Sequence, residues 1–370
     1  MKLTLSRTAG LICTVAAGLA SLSPAIAQQS ATINRGLVEL ETTGSDGISV
    51  RIAEDLSRLI DDGATRRVVP VVGKSSTQNL IDLKYLRGVD LAIVQTDVID
   101  YVKSQRTLLG IDSLTYITKL YNEELHILAR PEIKSIDDLA GQKISVGLPG
   151  SGAEITLLNI LTQLNLHVNI THDRPAAAID GLRRSEIAAI AFVAGKPAPL
   201  FNRLADTKEF HFLDVPFTPL QNTVYVPTRL TSADYPQLIS PEHPINTIAV
   251  GSVLFAADLR QIPERYNNIA NFVEIFFTGF QSLQGPGYHP KWSEVNLATE
   301  IPSLRRFEPA AQWLQRNAQA IAVQNPGQLQ EMFSRFVDER RQATGGAPMT
   351  DTEKGALFQQ FQSWQRTQRP

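Results

Sequence analysis

Apolar and polar positions along the chain repeat a pattern of a short strand, a polar turn and an amphipathic helix. One repeat covers Lys143–Leu164, with its turn at Pro149–Gly152. Because a helix start carries free N–H groups and the positive end of the helix dipole, this turn is predicted to bind an anion. Apolar residues at a spacing of three give the helix one apolar face, namely Ile155, Leu158, Leu161 and Leu164.

Two earlier segments follow the same pattern. Leu37–Thr42 alternates like a strand, a polar turn follows at Thr43–Gly47, and a helix with an apolar face extends to Ile60. Val68–Val72 is predicted to be the next strand, and it is followed by the polar loop Gly73–Asn79 and a helix. Each polar turn is therefore expected at the carboxyl end of a strand, where open α/β sheets bind ligands.

A third strand, Val89–Val94, ends in the polar residues Gln95, Thr96 and Asp97. Asp97 is predicted to cap the helix that follows, because a carboxylate at a helix start accepts hydrogen bonds from free N–H groups. Gln95 is expected to face a cleft, since it lies at the carboxyl end of its strand.

Two apolar segments are predicted to be strands that carry the chain between two units, Leu125–Arg130 outwards and Ile245–Ala257 back. A further strand is predicted at Ile187–Val193, and a helix at Asn268–Leu283. Strands that alternate with helices indicate parallel sheets. The pattern thus predicts an α/β protein of two lobes, each a mainly parallel sheet flanked by helices, with a ligand cleft between the lobes. In the helix predicted at Asn268–Leu283, a stripe is formed by Phe272, Phe276 and Phe280. Their spacing of four favours packing in the core over an aromatic binding cage.

These patterns divide the chain into four predicted parts. Residues 1–27 precede the fold, the first lobe is discontinuous at 28–130 and 246–309, and the second lobe covers 131–245. Residues 310–370 are predicted to form a helical C-terminal extension. Removal of 27 of the 370 residues leaves 343, more than one hydrophobic core usually supports.

The first 27 residues have the features of a secretory signal peptide. Lys2 and Arg7 form a basic start, Leu11–Ala20 is apolar, and Ala25–Ala27 is a small-residue cleavage site. Cys13 is the one cysteine and lies in this segment; export without disulfides is typical of a periplasmic protein with a large core. Beyond the segment, 33 of the 35 Lys and Arg remain against 37 Asp and Glu, without a dense basic tract, so nucleic acid binding is not expected.

Candidate residues for catalysis or metal binding lack the required spacing. Ser151 would need glycines two residues away on either side to form a nucleophile elbow, but these positions hold Pro149 and Ala153. Lys74 follows a strand like the lysine of a phosphate-binding loop, yet Val68 occupies the place of the first glycine. The six histidines are scattered. No enzymatic activity, no cofactor and no metal site are therefore expected.

Four segments together resemble the solute-binding subunits of tripartite (TRAP) transporters, specifically the TAXI branch, which has a type II periplasmic-binding-protein fold. They are Thr42–Gly47, Ser75–Leu80, Gly88–Val98 and Ser135–Glu154. The last two are similar to the family patterns G-x-D-x-G-I-V-Q-S-D and S-I-x-D-L-x-G-K-x-x-x-x-G-P-x-G-S-G-T-E. The resemblance covers roughly Leu37–Leu283.

The resemblance implies a periplasmic receptor that captures a small organic anion or amino acid by hinge closure and delivers it to a TRAP-type membrane permease. Substrates of the branch include glutamate-like amino acids and dicarboxylates. Carried over position by position, the ligand contacts would come from Gly44, Ser45, Asp46, Ser76, Asn79, Gln95, Thr96, Asp97, Gly150, Ser151, Gly152 and Ala153, with Phe192 and Gly195 closing the far side.

Two positions depart from the family pattern. Asp46 lies where the family has an aromatic pair, and its carboxylate would repel an anion unless the ligand also carries an amine or the side chain points away. Ala153 replaces a threonine and lacks its hydroxyl donor. The altered first turn and the C-terminal extension keep open a ligand-sensing or envelope-scaffold protein on the same fold, and an enzyme is the least supported alternative.

Overall fold

The computed structural model of the chain describes residues 36–44, 47–106, 108, 110–202, 204, 209–218, 224–301 and 304–317. The chain divides into two compact units, Met1–Ala310 and Ala311–Pro370, and the fold below is that of the first. The predicted signal peptide and residues 318–370 of the predicted extension lie outside the described residues. Both therefore stay predictions.

Ten strands in the described residues belong to one mixed sheet. In chain order they are β1 (Leu37–Thr43), β2 (Arg67–Gly73), β3 (Leu91–Gln95), β4 (Thr115–Ala129), β5 (Lys143–Ser145), β6 (Asn169–Thr171), β7 (Ala189–Ala194), β8 (His211–Phe212), β9 (Tyr225–Leu230) and β10 (Ile245–Ala256). Their order across the sheet is β2-β1-β3-β10-β4-β7-β5-β6, with β9 beside β10 and β8 beside β4.

The described α-helices flank this sheet and mostly follow strands, as the strand–turn–helix pattern predicts. They are α1 (Ile48–Ile60), α2 (Ser76–Tyr85), α3 (Thr96–Gln105), α4 (Gly152–Gln163), α5 (Pro175–Arg183), α6 (Pro199–Asn202) and α7 (Pro263–Leu283). A further described helix, α8 (Glu308–Arg316), lies mostly in the second unit. Three short 3₁₀ turns lie at Ile111–Ser113, Asp137–Leu139 and Pro290–Glu294.

The sheet is parallel on both sides and antiparallel in the centre. In the first lobe β1 runs parallel to β2 and β3, and in the second lobe β5 runs parallel to β6 and β7. Between these parts lie β10 and β4, which are antiparallel to each other and to β3 and β7. The protein thus has a mixed α/β fold, and the antiparallel centre was not predicted.

The two central strands are the longest of the sheet. The predicted strand at Leu125–Arg130 is confirmed, but β4 already begins at Thr115 and has 15 residues. The predicted strand at Ile245–Ala257 corresponds to β10, with 12 residues. Since the chain leaves the first lobe along β4 and returns along β10, both strands connect the predicted lobes.

Helix α7 packs its phenylalanine stripe into the core, as predicted. Phe272 and Phe276 are buried, and the ring of Trp292 lies 5.7 Å from that of Phe276 in an edge-on arrangement. In the second lobe, residues of β7 alternate between two apolar clusters, with Val193 in one and Ile190 in the other. Alternation along a strand places such clusters on opposite faces of the sheet.

Candidate functional site

Polar loops of the two lobes meet directly where strands end and helices begin. The backbone N–H and the hydroxyl of Thr77, at the start of α2, both donate to the carbonyl oxygen of Gly150, at 3.1 and 3.0 Å. Gly150 belongs to the turn before α4 in the second lobe. We call the contacting residues Ser75–Asn79, Gln95–Asp97, Tyr121–Glu123 and Gly150–Thr156 the interlobe site.

The turn before α4, which is predicted to bind an anion, has a side-chain cap in the structure. The Ser151 hydroxyl accepts a hydrogen bond from Glu154 N at 3.3 Å and donates to Val146 O at 3.0 Å. The Glu154 carboxylate in turn accepts from Gly150 N at 2.6 Å, and its other oxygen lies 2.8 Å from His172 Nε2. A carboxylate of the chain itself therefore occupies one N–H group of the predicted anion site.

Gln95 lies at the centre of the interlobe site. Its amide oxygen accepts from the Ser76 hydroxyl at 2.7 Å, and its amide nitrogen donates to Glu123 Oε2 at 2.5 Å. Tyr121 donates to the other oxygen of Glu123 at 3.0 Å. The amide of Gln95 packs closely against the backbone of Gly152, because a Cβ atom on Gly152 would lie 2.6 Å from the Gln95 amide carbon and would displace this amide.

Burial dominates the electrostatics of Glu123. The side chain is 5% exposed, and loss of hydration disfavours the charged carboxylate. This burial raises the pKa of Glu123 to about 7, although hydrogen bonds from Gln95 and Tyr121 favour the ionised form. Glu123 therefore changes its charge near neutral pH.

Asp97 connects the lobes instead of capping α3, so the predicted cap is wrong. Helix α3 begins at Thr96, directly after the strand, so Asp97 lies inside the first turn. Its Oδ2 accepts from the Thr156 hydroxyl at 2.5 Å and from the Tyr225 hydroxyl at 3.0 Å, both in the second lobe. Burial raises the pKa of Asp97 to about 6.

Asn79 and Glu41 lie one helical turn deeper in the first lobe. The Asn79 amide donates to Thr42 O at 3.1 Å and is completely buried. Glu41 is 5% exposed, and burial, followed by the neighbouring Asp82 carboxylate, raises its pKa to about 7. Gly73 has no room for a side chain, because its Cβ would lie 2.1 Å from Asn79 Oδ1.

A buried ion pair lies on the opposite face of β4. Glu124 Oε1 is 3.1 Å from Lys291 Nζ, and both side chains are 4% exposed. Lys291 also pairs with Glu294 at 2.7 Å, and the second oxygen of Glu124 accepts from Lys196 N at 2.8 Å. A Cβ atom on Gly195 would lie 3.0 Å from Lys291 Cε, so the backbone of Gly195 packs closely against this pair.

The structure brings most of the predicted ligand residues to this region. Ser45 and Asp46 lie outside the described residues, so their predicted roles stay predictions. Ala153 belongs to an apolar cluster, and the Phe192 ring packs at 5.9 Å from that of Phe201, away from the contacts above. Gly44 follows the end of β1, and a Cβ atom there would meet nothing within 4 Å. The predicted residues near the lobe contacts are Ser76, Asn79, Gln95, Thr96, Asp97, Gly150, Ser151, Gly152 and Gly195.

Sequence reasoning missed several residues of the site. Glu123 and Glu124 give a signal, because two adjacent carboxylates lie directly before the apolar segment Leu125–Arg130 that is predicted to be a strand. Lys291 gives no comparable signal, because it lies in a region of mixed polar residues. Thr156 and Tyr225 are visible only as partners of Asp97.

Two surface cavities lie apart from the interlobe site. One has a volume of about 780 Å³ and is lined by Lys196, Arg229 and Asn246 among others. The other, of about 510 Å³, lies between the starts of β1 and β2 and helix α7. None of the predicted ligand residues lines either cavity.

Within the described ranges, no helix is long and apolar enough to cross a membrane. The same ranges contain no group of three or more His, Cys, Asp or Glu side chains placed to hold a metal ion.

The sequence profile of the NMT1-like family matches residues 42–263, which is more than half of the chain. The chain belongs to the NMT1-like family. The matched range contains the interlobe residues of both lobes and the whole of β4 and β10. The match does not test the TAXI branch, so membership of the NMT1-like protein in that branch stays a prediction.

Solved structures with similarity to this NMT1-like protein include a protein from Bordetella bronchiseptica RB50 (TM-score 0.48, 13% identity, 77% of this chain and 99% of that one). An ABC uptake transporter substrate-binding protein from Streptococcus pneumoniae with bound histidine has a TM-score of 0.45 and 10% identity, over 74% and 98% of the chains. The alkanesulfonate-binding protein SsuA from Xanthomonas axonopodis pv. citri bound to MOPS has a TM-score of 0.43 and 15% identity, over 78% and 93%.

Proposed function

We propose that this NMT1-like protein is a periplasmic solute receptor whose two lobes close over a small molecule at the interlobe site. The observation that carries the proposal is the direct hydrogen bonding between the lobes near the starts of helices, from Thr77 in α2 to the turn at Gly150 and from Thr156 in α4 to Asp97 in α3. Helices α2 and α3 begin close to the carboxyl ends of strands, which is where open α/β sheets bind ligands.

The connection between the lobes supports closure about a hinge. The chain passes between them along β4 and β10, two adjacent long strands. A rotation of one lobe needs changes of φ and ψ at a few residues of these strands, as in other hinge motions. A ligand that contacts both lobes favours the closed arrangement by its greater affinity for it.

We further propose that the solute is a small carboxylate or amino acid and that the closed receptor delivers it to a TRAP-type permease. The four sequence motifs that resemble TRAP subunits support this assignment. A predicted export signal fits a receptor that meets its solute outside the inner membrane.

Small-angle X-ray scattering of the purified full chain tests the closure. We expect at least one member of a panel of amino acids, amines and carboxylates to reduce the radius of gyration and raise the melting temperature. Native mass spectrometry of protein purified without denaturation would show a bound small molecule. An unchanged scattering profile and melting temperature across the panel would contradict the proposal.

Two matched variants locate the binding site. Gln95→Leu removes the central amide of the interlobe site and is expected to weaken the compacting ligand at least about tenfold, the effect of one or two buried hydrogen bonds. Gln163→Leu makes the same change on the exposed end of α4 and is expected to leave the affinity unchanged. Equal affinities of the two variants would place the site elsewhere.

Cross-linking in native membranes tests the partner. We expect the cross-linked partner of the receptor to be a multi-spanning permease. Cross-linking to a sensor kinase instead would indicate the signalling alternative, and would contradict delivery to a permease.

A further inference from the structure

A continuous row of buried polar side chains extends from β4 through α2 to β1. Glu123 contacts Gln95, and Gln95 contacts Ser76. Asn79 follows Ser76 by three positions on α2, so both side chains lie on the same buried face of the helix. Beyond Asn79 lies Glu41 on β1. The row therefore has a carboxyl group at each end and neutral groups between.

Two oxygen atoms at the β1 end of the row have no hydrogen-bond partner. They are Glu41 Oε2 and Asn79 Oδ1, on side chains that are 5% and 0% exposed. Both side chains approach Gly73, whose Cβ position is 3.0 Å from Glu41 Cδ and 2.1 Å from Asn79 Oδ1. Buried polar atoms are nearly always hydrogen-bonded. The amide oxygen of Asn79 can only accept, and Glu41 Oε2 can only accept when its carboxyl group is ionised. A group that donates hydrogen bonds would satisfy both.

The charged groups that act on Glu41 are acidic. Asp82 on α2 shares a hydrogen bond with Glu41, and Glu39 lies two positions earlier on the same strand. The β2 residues opposite Glu41 and Thr42 are Val71 and Val72, which carry no charge. At the other end of the row, Lys291 acts on Glu123 only weakly, because it pairs with Glu124 and Glu294.

We infer that the solute is an organic cation, an amine or an amino acid without net negative charge, whose ammonium group binds Glu41 Oε2 and Asn79 Oδ1. This inference rests on the proposed receptor function and specifies the chemistry of its ligand. An ammonium group has three N–H donors and no acceptor, which matches two acceptor oxygens in an acidic surrounding. In the second lobe, Glu154 already occupies Gly150 N, which disfavours a second carboxylate.

Isothermal titration of the full chain with putrescine, arginine, glutarate and calcium chloride tests this inference. We expect putrescine or arginine to bind more tightly than glutarate or calcium. Glu41→Gln is expected to weaken amine binding by about 10- to 100-fold, the range for one charge-assisted hydrogen bond. Glu39→Gln, on the same strand and face but beside Asp90 and Gly88, is the matched comparison: it removes only a more distant charge that acts on Glu41, so it should weaken amine binding far less than Glu41→Gln.

A second variant is expected to strengthen amine binding instead of weakening it. Asn79→Asp keeps the size of the side chain, loses the amide donor to Thr42 O and adds a carboxylate beside Glu41. Amine binding of the folded variant at pH 8 is therefore expected to tighten. Because an unfolded variant cannot bind more tightly, this result distinguishes a ligand contact from a loss of structure.

The pH dependence gives a further readout. The ammonium group binds the ionised carboxylate, and the pKa of Glu41 lies at about 7 with Asp82 and Glu39 as its charged neighbours. Amine affinity of the wild type is therefore expected to rise from pH 6 to pH 8, and Glu41→Gln to reduce this rise.

The outcomes separate the two proposals. Compaction by glutarate without amine binding would overturn the inference and leave the receptor function intact, whereas no response to any compound would overturn both. Calcium binding as tight as amine binding, or unchanged amine affinity in Glu41→Gln, would also overturn the assignment of an ammonium site.

Discussion

Two neighbouring glutamates of β4 lie on opposite faces of the sheet and have different hydrogen-bonding partners. Glu123 and Glu124 are adjacent on β4, and successive strand residues point to opposite sides of the sheet. Glu124 pairs with the buried Lys291 at 3.1 Å, whereas Glu123 receives hydrogen bonds from the neutral side chains of Gln95 and Tyr121. Both carboxyl groups are about equally buried, so the difference is in their partners.

The partners decide what each face is suited to do. A buried ion pair stabilises one arrangement of its two side chains. Removal of either charge leaves the other unpaired in the protein interior, which solvates ions poorly. Burial raises the pKa of both carboxyl groups, although Lys291 opposes this rise at Glu124. Glu123, with its neutral donors, has a pKa of about 7 and can respond to an added proton or cation. The Glu124 face is therefore structural, and the Glu123 face suits ligand binding.

Among the variants that compare the two faces, removal of the Lys291 charge should cause the largest loss of stability. Lys291→Met leaves Glu124 buried without its charged partner, and we expect the free energy of unfolding to fall by about 3–5 kcal/mol. Urea unfolding at pH 7 measures the loss. The double variant Lys291→Met/Glu124→Gln should recover much of it, because no unpaired charge remains. A loss below about 1 kcal/mol in the single variant would show that the ion pair is not required.

Glu123→Gln should instead change the pH dependence of stability. A carboxyl group whose pKa is raised on folding binds a proton more tightly in the folded state, so its contribution is largest at low pH and is lost as the pH rises through about 7. From pH 5 to 8 the free energy of unfolding of the wild type should therefore fall by about 2–3 kcal/mol more than that of the variant. Parallel urea titrations at several pH values measure this difference, and equal slopes would contradict the assignment.

Two glycine variants in the second lobe should cause the smallest changes in stability. Each variant perturbs one of the two faces of β4. Gly152→Ala places a Cβ 2.6 Å from the Gln95 amide, whereas Gly195→Ala places one 2.5 Å from Ile48 Cδ1 and 3.0 Å from Lys291 Cε. We expect each to destabilise by about 1–3 kcal/mol, as overpacking does. Only Gly152→Ala should change the pH dependence, because it displaces a donor of Glu123.

The control for these variants is Gly181→Ala in α5. Its added Cβ would have no neighbour closer than 3.7 Å, and alanine is a better helix former than glycine by about 1 kcal/mol. This variant should be neutral or slightly stabilised in the same thermal and urea unfolding experiments. A loss comparable with that of the other two would indicate that glycine replacement itself, not the contact, is responsible.

The repeated strand–turn–helix pattern was enough to predict the local elements and the polar turns. The phenylalanine stripe of α7 and the position of Gln95 at a strand end follow from nearest neighbours along the chain, and both are confirmed. Ser151 caps α4, and its predicted role in anion binding stays a prediction. The Asp97 cap was wrong because the preceding strand continues directly into the helix, which puts the carboxylate inside the first turn.

Long-range contacts could not be predicted in this way. Lys291 and Glu124 are 167 positions apart, and nothing in the local pattern connects them. The antiparallel pairing of β4 with β10 is also set by where the chain returns to the first lobe.

The sequence by itself determined where strands end, which turns carry polar side chains and which family the chain belongs to, because these depend on local periodicity and on motifs. Tertiary structure decided which of two adjacent glutamates receives a lysine and which receives neutral donors. The reason is that the sheet places the two glutamates on opposite faces, and segments that are distant in sequence cover each face. Because both carboxyl groups are buried, the charge or neutrality of the partner then decides how each one binds protons and cations.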